Sequence, residues 1–510
     1  MNNWSSGYVA EVGYTHGYYG ELSPLYTEFA LLSAGYNIAP IHTACELGFG
    51  QGISINIHAS SQLVNWWGTD FNPAQAAFAQ ELAKRAGHQA ALDDAAFAEF
   101  CTRCDLPEFD FIALHGIWSW ISDENRKVII DFLLNKLKVG GVLFISYNTQ
   151  PGWGAAIPMR DLMTDYVKSM TPSGKPISRR IDEALQFTEK LFTTNPNYIQ
   201  ANPAILERFK KMKGQDHNYL AHEYFNQDWL PMSFSKMNDW LSQAKLTYAT
   251  SANLLDHVSS VNGTPEQLAL LHSIEDPIFR QTVRDFILNQ QFRKDLWVKG
   301  PRPMTPLERV ERMRQQRVCL LKNRQEVVFK FPGPIGEVTL QETIYAPIVD
   351  ALVDHQPKTI AQLEGTLSSQ SIRMDQLLQA ILVLVGNGTL GLAQDPQVVS
   401  KVKKTTEKLN DCIKERSRSQ NEIYHLTSCV TGGGIRVSRF GQLFLLALQS
   451  GKKTPEEWAT YAWQYLQMQG QKLIKESKTL ESSEDNLKEL IEQAKTFEMQ
   501  LPILKALQVF

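Results

Sequence analysis

Glu46-Leu47-Gly48-Phe49-Gly50-Gln51-Gly52 follows an apolar run and precedes a helix-like stretch, and its reading decides the fold. Glycines at this spacing let the backbone turn sharply, approach a ligand closely and aim helix N-terminal amides at it. The pattern is G-x-G-x-G, not the G-x-G-x-x-G of dinucleotide-binding turns, and Glu46 stands two places before the first glycine. A carboxylate there repels a pyrophosphate but suits an amino-acid moiety carrying an ammonium and a sulfonium.

Outward from this loop, residues 41–150 alternate short apolar runs with helical stretches, the pattern of βαβ units and a parallel sheet covered by helices. Strands are expected near residues 41–47, 64–69, 109–115 and 142–146, with helices over about 73–86 and 123–137. Pro73 suits a first helical turn, and Gly140-Gly141 a stop before the next strand. Asp70 closes the second strand, where an acid accepts both hydroxyls of a ribose. Asp93 and Asp94 follow a candidate third strand, where a carboxylate accepts from an adenine amino group. The fourth strand ends in His115-Gly116-Ile117-Trp118-Ser119-Trp120, at the edge where open α/β sheets bind ligands. Each feature has a plainer reading: glycine turns are common, strand-ending aspartates cap helices, and histidines are satisfied in cores. Their ordered occurrence favours a site.

After Asn148 the rhythm changes. Pro151-Gly152-Trp153-Gly154 breaks the pattern, and residues 156–240 read as a mostly helical insertion or cap. Residues 246–250 and 296–299 are candidates to complete the sheet, around a helix containing residues 279–291. Residues 293–326 hold ten basic and four acidic side chains, whereas 337–395 hold seven acidic and two basic, which marks a boundary near 330. Within 337–395 the order helix, short helix, longer helix (374–385), Gly386-Asn387-Gly388 and apolar strand fits a winged helix. Only Lys358 and Arg373 are available there to face phosphates, so no nucleic-acid partner is expected. Residues 1–300 are thus expected as the first domain, 301–336 as a linker, and 396–510 as a charged helical region suited to a bundle or a homodimer contact.

Composition excludes other classes. A chain of 510 residues exceeds one ordinary core, and 51 basic against 54 acidic residues leave no spread polyanion-binding surface. The start has no basic region followed by an apolar core, and no apolar run approaches the roughly 20 residues of a membrane span. A cytoplasmic protein with no membrane partner is expected. Six scattered cysteines, with Cys101 and Cys104 the one close pair, read as incidental thiols, and no metal is expected. His222-Glu223 opens a stretch like HExxH, but Asn226 takes the second histidine position.

Residues 41–150 resemble the S-adenosylmethionine (AdoMet) binding core of class I methyltransferases, and the wider chain is similar to bacterial proteins joining that core to a methyltransferase regulatory domain. Besides Glu46 to Gly52, the likeness rests on Tyr14-Thr15-His16-Gly17-Tyr18-Tyr19, Leu114 to Trp120, Ser146-Tyr147-Asn148-Thr149-Gln150-Pro151-Gly152-Trp153 and Tyr219-Leu220-Ala221-His222-Glu223-Tyr224-Phe225. That group includes rickettsial protein lysine methyltransferases that modify an outer-membrane protein and carry an inserted domain and a C-terminal winged helix. The resemblance covers residues 1 to about 395. It implies an AdoMet-dependent enzyme of α/β class, with a Rossmann-like sheet, a helical insertion, a winged-helix-like domain and a helical C-terminal region. It implies that Glu46, Gly48, Gly50 and Gly52 hold the methionine part of AdoMet, Asp70 the ribose, and Asp93 or Asp94 the adenine side. Tyr14 and its flanking aromatics would close over the cofactor, with Trp118 among its contacts.

Methyl transfer from a sulfonium requires alignment and exclusion of water, not a fixed triad. A lysine acceptor must arrive neutral, which a partly apolar, aromatic pocket promotes. Tyr147 and Asn148 are expected to orient the acceptor, and His115 to take or relay its proton. Methylation of a protein or peptide lysine is the leading expectation. The alternatives are a small-molecule methyltransferase, whose cap would be closed, and an AdoMet-binding sensor without catalysis.

Overall fold

The apolar runs around the glycine loop form a seven-stranded sheet in the computed structural model, which describes residues 13, 15–172, 174–476 and 478–510. Its strands are β1 (Thr43–Leu47), β2 (Asn65–Thr69), β3 (Ala91–Asp93), β4 (Phe109–Leu114), β5 (Leu137–Asn148), β6 (Leu246–Ser251) and β7 (Phe292–Lys299). They run in the order β3-β2-β1-β4-β5-β7-β6, with β7 antiparallel to both its neighbours. β1 and β4 are almost continuously buried, as strands covered by helices on both faces are. Strand order reverses between β1 and β4, so a crevice opens at their carboxyl ends.

The helices follow the local chemistry. α1 (Ile53–Ser61) starts at Gly52. α2 (Pro73–Ala86) has Pro73 in its first turn and the Asn72 side chain accepting from Ala74 N, and it stops at Gly87 in the left-handed region. α3 (Asp123–Lys136) is capped by Ser122. Here one expectation fails: α3 passes directly into β5, and Gly140-Gly141 lie inside that strand. Gly140, at φ 81°, sits where the register slips between the Phe109–Leu137 and Phe111–Val142 pairs, so the glycine serves an irregularity and not a stop.

Between β5 and β6 the expected helical insertion includes helices Ile157–Met170, Ile177–Thr193, Ala204–Lys213 and His217–Tyr224. They bury their own core, with Met163, Ile181, Phe192, Phe209 and Leu220 at its centre. Residues 301–336 are not a linker. They contain helix Pro306–Gln315 and strand Arg317–Leu320, and that strand lies between Lys358–Thr359 and Leu390–Ala393 in a three-stranded antiparallel sheet. Val318 and Leu320 alternate with Cys319, so one face joins the core of the helices at Glu342–Asp350, Ile360–Thr366 and Met374–Gly386.

α4 (Pro396–Arg416) lies against α1 and α2: the Thr405 and Thr406 hydroxyls donate to Ser60 O, and Arg416 pairs with Glu81 at 2.8 Å. The hairpin of strands His425–Ser428 and Gly433–Arg436 follows, then further helices. Among the described residues no helix is long and apolar enough to cross a membrane.

Candidate functional site

The loop joining β1 to α1 is held by backbone bonds: Gly48 N and Phe49 N both donate to Thr69 O of β2. Gly48, Gly50 and Gly52 take φ of 76°, 58° and 68°, where other residues are strained. A Cβ on Gly52 would fall onto Ala79 of α2, and one on Gly48 onto Ile117. Ile117 thus closes the loop from the end of β4, a contact no sequence feature had singled out.

Two carboxylates flank this loop. Asp70 Oδ2 accepts from Gly50 N at 2.9 Å, and Oδ1 accepts from Asn72 N at 3.0 Å. Burial nonetheless pushes its carboxyl up to about 6. Glu46 is 3% exposed, and its Oε2 has no hydrogen-bond partner among the described residues. Burial, then the neighbouring Asp70, push Glu46 up to about 8. α1 starts with no side chain capping its first amides, which leaves that terminus open toward an anion.

At the end of β3, Asp93 O accepts from Asp70 N, but the Asp93 carboxylate is bound at 2.7 Å by Arg103. Asp94 follows in an exposed loop, and Asp93 is committed in part to Arg103.

Tyr14 lies outside the described residues. Of the aromatics after it, Tyr19 spans from α1 to the end of β4: Tyr19 N donates to Ser54 Oγ in α1, and the Tyr19 ring centroid is 3.8 Å from that of His115. Tyr18 is gripped from the C-terminal region, beside His425 at 5.0 Å and against Gly433 and Gly434.

On the acceptor side the expectations divide. His115 stands at the end of β4 with Nδ1 2.8 Å from Ser146 Oγ. That hydroxyl also accepts from Gly116 N. Burial pulls His115 down to about 4, Glu21 opposing and Lys294 assisting. The imidazole is therefore neutral near pH 7, with one ring nitrogen donating and the other accepting. Asn148 is on the same face of β5 as Ser146, two residues on, with its own N bonded to Ser119 Oγ.

Tyr147, between them, faces the other way. It is fully buried and its hydroxyl donates to Asp295 Oδ2 at 2.8 Å, inside a network in which Arg293 binds both Asp295 and Asp285. Tyr147 is therefore not where an acceptor was expected to meet it, because strand alternation sends its side chain into the opposite core. Trp118 likewise is not exposed to a cofactor: it is fully buried, its indole N–H meets Met232 Sδ, and Trp240 packs edge-on to it. The missed residues include Glu21 and Lys294, an ion pair beside His115. Burial alone would raise Glu21, but Lys294, with His115 and a backbone bond, offsets this and the carboxyl ends lowered. Lys294 pairs with Ser146 in register, a cross-strand neighbour no local pattern announces.

A model of the predicted methyltransferase regulatory domain matches residues 216–299. The uncharacterized protein sll1526 of Synechocystis sp. is 40% identical over 512 residues, covering 99% of each chain. The uncharacterized protein RP028 of Rickettsia prowazekii is 27% identical over 209 residues, 38% of this chain and 77% of its own length. Among solved structures, PKMT2 from Rickettsia typhi, determined in complex with AdoHcy, matches with a TM-score of 0.69 at 16% identity, over 98% of this chain and 100% of that one. The end-to-end likeness to the Synechocystis protein, together with this sheet order, means that the chain belongs to that protein's family, which has the class I methyltransferase fold and a methyltransferase regulatory domain.

Proposed function

We propose that the chain is an AdoMet-dependent methyltransferase that methylates the side-chain amine of a lysine in a protein or peptide. The observation that carries the reading is the buried carboxylate pair at the glycine loop. Glu46 has an oxygen without a partner and Asp70 sits beside it, so both are held above their ordinary range until a ligand brings donors. AdoMet brings the matching groups: an ammonium for Glu46, ribose hydroxyls for Asp70, and a carboxylate for the open amides of α1. When bound, it supplies a methyl group activated by a sulfonium.

The chain's own residues supply position and dryness. Ile117 and the Tyr19 ring wall the crevice, Asn148 offers an amide on its face, and the neutral His115 ring is held by Ser146. A lysine acceptor is supported by the match to PKMT2, a protein determined in complex with AdoHcy.

The test is transfer of label from methyl-tritiated AdoMet, run on a protein fraction and a small-metabolite fraction of a lysate, with Gly50→Asp as control. Label is expected in protein, on lysine after hydrolysis, and absent with the variant. Label confined to metabolites overturns the lysine reading, and none in either fraction despite AdoMet binding overturns catalysis.

A further inference from the structure

We infer that a cavity beside His115 is the seat of the acceptor's ammonium group, where Glu21 holds the incoming cation in exchange for Lys294; this rests on the lysine reading above. The cavity has a volume of about 340 Å³, at the lower end of the range for small-ligand sites. Three separate parts of the chain enclose it: Glu21 and Tyr26 of the N-terminal segment, Phe292 and Lys294 at the start of β7, and Gly386 at the end of helix Met374–Gly386.

The strands fix its place beside the crevice. β7 runs antiparallel to β5, so its first residues lie at the carboxyl edge of the parallel strands. Lys294 is in register with Ser146 and Phe292 with Asn148, and residues paired in this way share a face of the sheet. Ser146 Oγ is 2.8 Å from His115 Nδ1, and the Phe292 ring stands edge-on to that of His115 with centroids 6.2 Å apart. Glu21 comes two residues after Tyr19, whose ring lies on His115.

The two carboxylates that line the cavity are bound differently. Asp256 Oδ1 accepts from Arg284 at 2.9 Å and from Asn253 Nδ2 at 3.0 Å, and its Oδ2 accepts from Ser251 Oγ at 2.6 Å. Glu21 is paired instead with the ammonium of Lys294. The Lys294 side chain is 36% exposed, against 12% for Arg284, so it has water to move into. An ammonium on a flexible four-carbon stem makes a point-charge contact that a second ammonium replaces like for like, whereas a guanidinium in a multiply bonded site is not exchanged so cheaply. Tyr26 and Phe292 offer aromatic surface to the entering cation, and the Lys294 head extends toward water on its stem. Lys294 is thus both seat-holder and competitor. It keeps the carboxylate paired in the empty site, and an acceptor without an ammonium cannot displace it. The exchange is a capture step, ahead of deprotonation and transfer.

The experiment measures binding to protein loaded with AdoHcy by calorimetry near neutral pH, for wild type, Glu21→Gln and Lys294→Met. The probes are N-acetyl-lysine methylamide and its uncharged analogue, N-acetyl-norleucine methylamide. Wild type should prefer the lysine compound. Glu21→Gln should weaken that compound about tenfold and leave the norleucine compound as in wild type, while Lys294→Met should tighten the lysine compound about tenfold. A merely structural role would shift both variants in the same direction and both probes alike. Equal binding of the two probes by wild type, an unchanged preference in Glu21→Gln, or weaker lysine binding in Lys294→Met overturns the exchange. Methyl transfer from AdoMet to the lysine compound is followed in parallel. Transfer alongside wild-type binding by Glu21→Gln sinks the exchange and leaves the lysine reading standing; opposite shifts in the two variants with no transfer by wild type do the reverse.

Discussion

The cofactor half of the sheet, β1 to β3, and the acceptor half, β4 to β7, use their buried polar groups differently. At the glycine loop, Glu46 keeps an oxygen without a partner among the described residues, and Asp70 is bonded there by backbone amides. Beyond β4 side chains bond mainly to one another: His115 with Ser146, Tyr147 with Asp295, and Asp295 through Arg293 with Asp285. Asp285 Oδ2 is nonetheless left without a partner among the described residues, as Glu46 Oε2 is. One half holds its bonding capacity in reserve at the glycine loop; in the other, the spare oxygen belongs to a carboxylate that a guanidinium already holds. Polar burial, even with an unused lone pair, does not mark a binding group; what distinguishes the two halves is whether a cation already holds the carboxylate.

The contrast breaks most visibly at Gly52. Gly52→Val forces a branched side chain into the left-handed region and onto Ala79, so stability should fall by about 3 kcal/mol. AdoMet affinity should drop at least about a hundredfold, as calorimetry and denaturant unfolding would register. Normal affinity in this variant would mean that the loop does not hold the ligand.

A smaller effect comes from pH. Glu46 and Asp70 are raised in the folded chain, so they ionise only as pH passes about 6 for Asp70 and about 8 for Glu46. AdoMet's donors favour the ionised forms, so binding should release protons and tighten by about tenfold or more between pH 5 and pH 8. Stability of the ligand-free chain runs the opposite way. A raised carboxyl favours folding most below its unfolded value, and that contribution is lost as pH rises through 6 to 8. Thermal melts with and without AdoMet should therefore diverge with rising pH. Parallel melts would show that the reserve is not there.

The smallest change sharpens the other side. Tyr147→Phe removes one buried hydroxyl from the Asp295 network and should cost about 1–2 kcal/mol in unfolding free energy. Methyl transfer at saturating AdoMet should be unaffected. Lost turnover with unchanged stability would return Tyr147 to the site.

These halves also differ in how far the sequence discloses them. The strands and the carboxylates at Glu46 and Asp70 are legible because each depends on nearby residues: apolar runs, a glycine spacing and a strand-ending acid. The acceptor half depends on partners far along the chain. Asp295, which claims Tyr147, is 148 residues away, and Lys294 reaches the crevice only through its register with Ser146. Trp118 and Ile117 are two of a short run after β4, and nothing local says that Ile117 meets the glycine loop while Trp118 turns into the core. The supposed linker failed likewise, since strand Arg317–Leu320 has its long partner at Leu390–Ala393.

The grip on Tyr18 has a consequence for biosynthesis. Tyr18 is among the first described residues to leave the ribosome, whereas Gly433 and Gly434, which leave no room for a side chain against it, arrive more than four hundred residues later. At typical elongation rates of roughly 5–20 residues per second, the segment spanning the crevice waits about 20 to 80 seconds for its seat. The nascent chain can assemble its sheet well before that, but the wall provided by Tyr19 acquires its anchor only once the hairpin has been made.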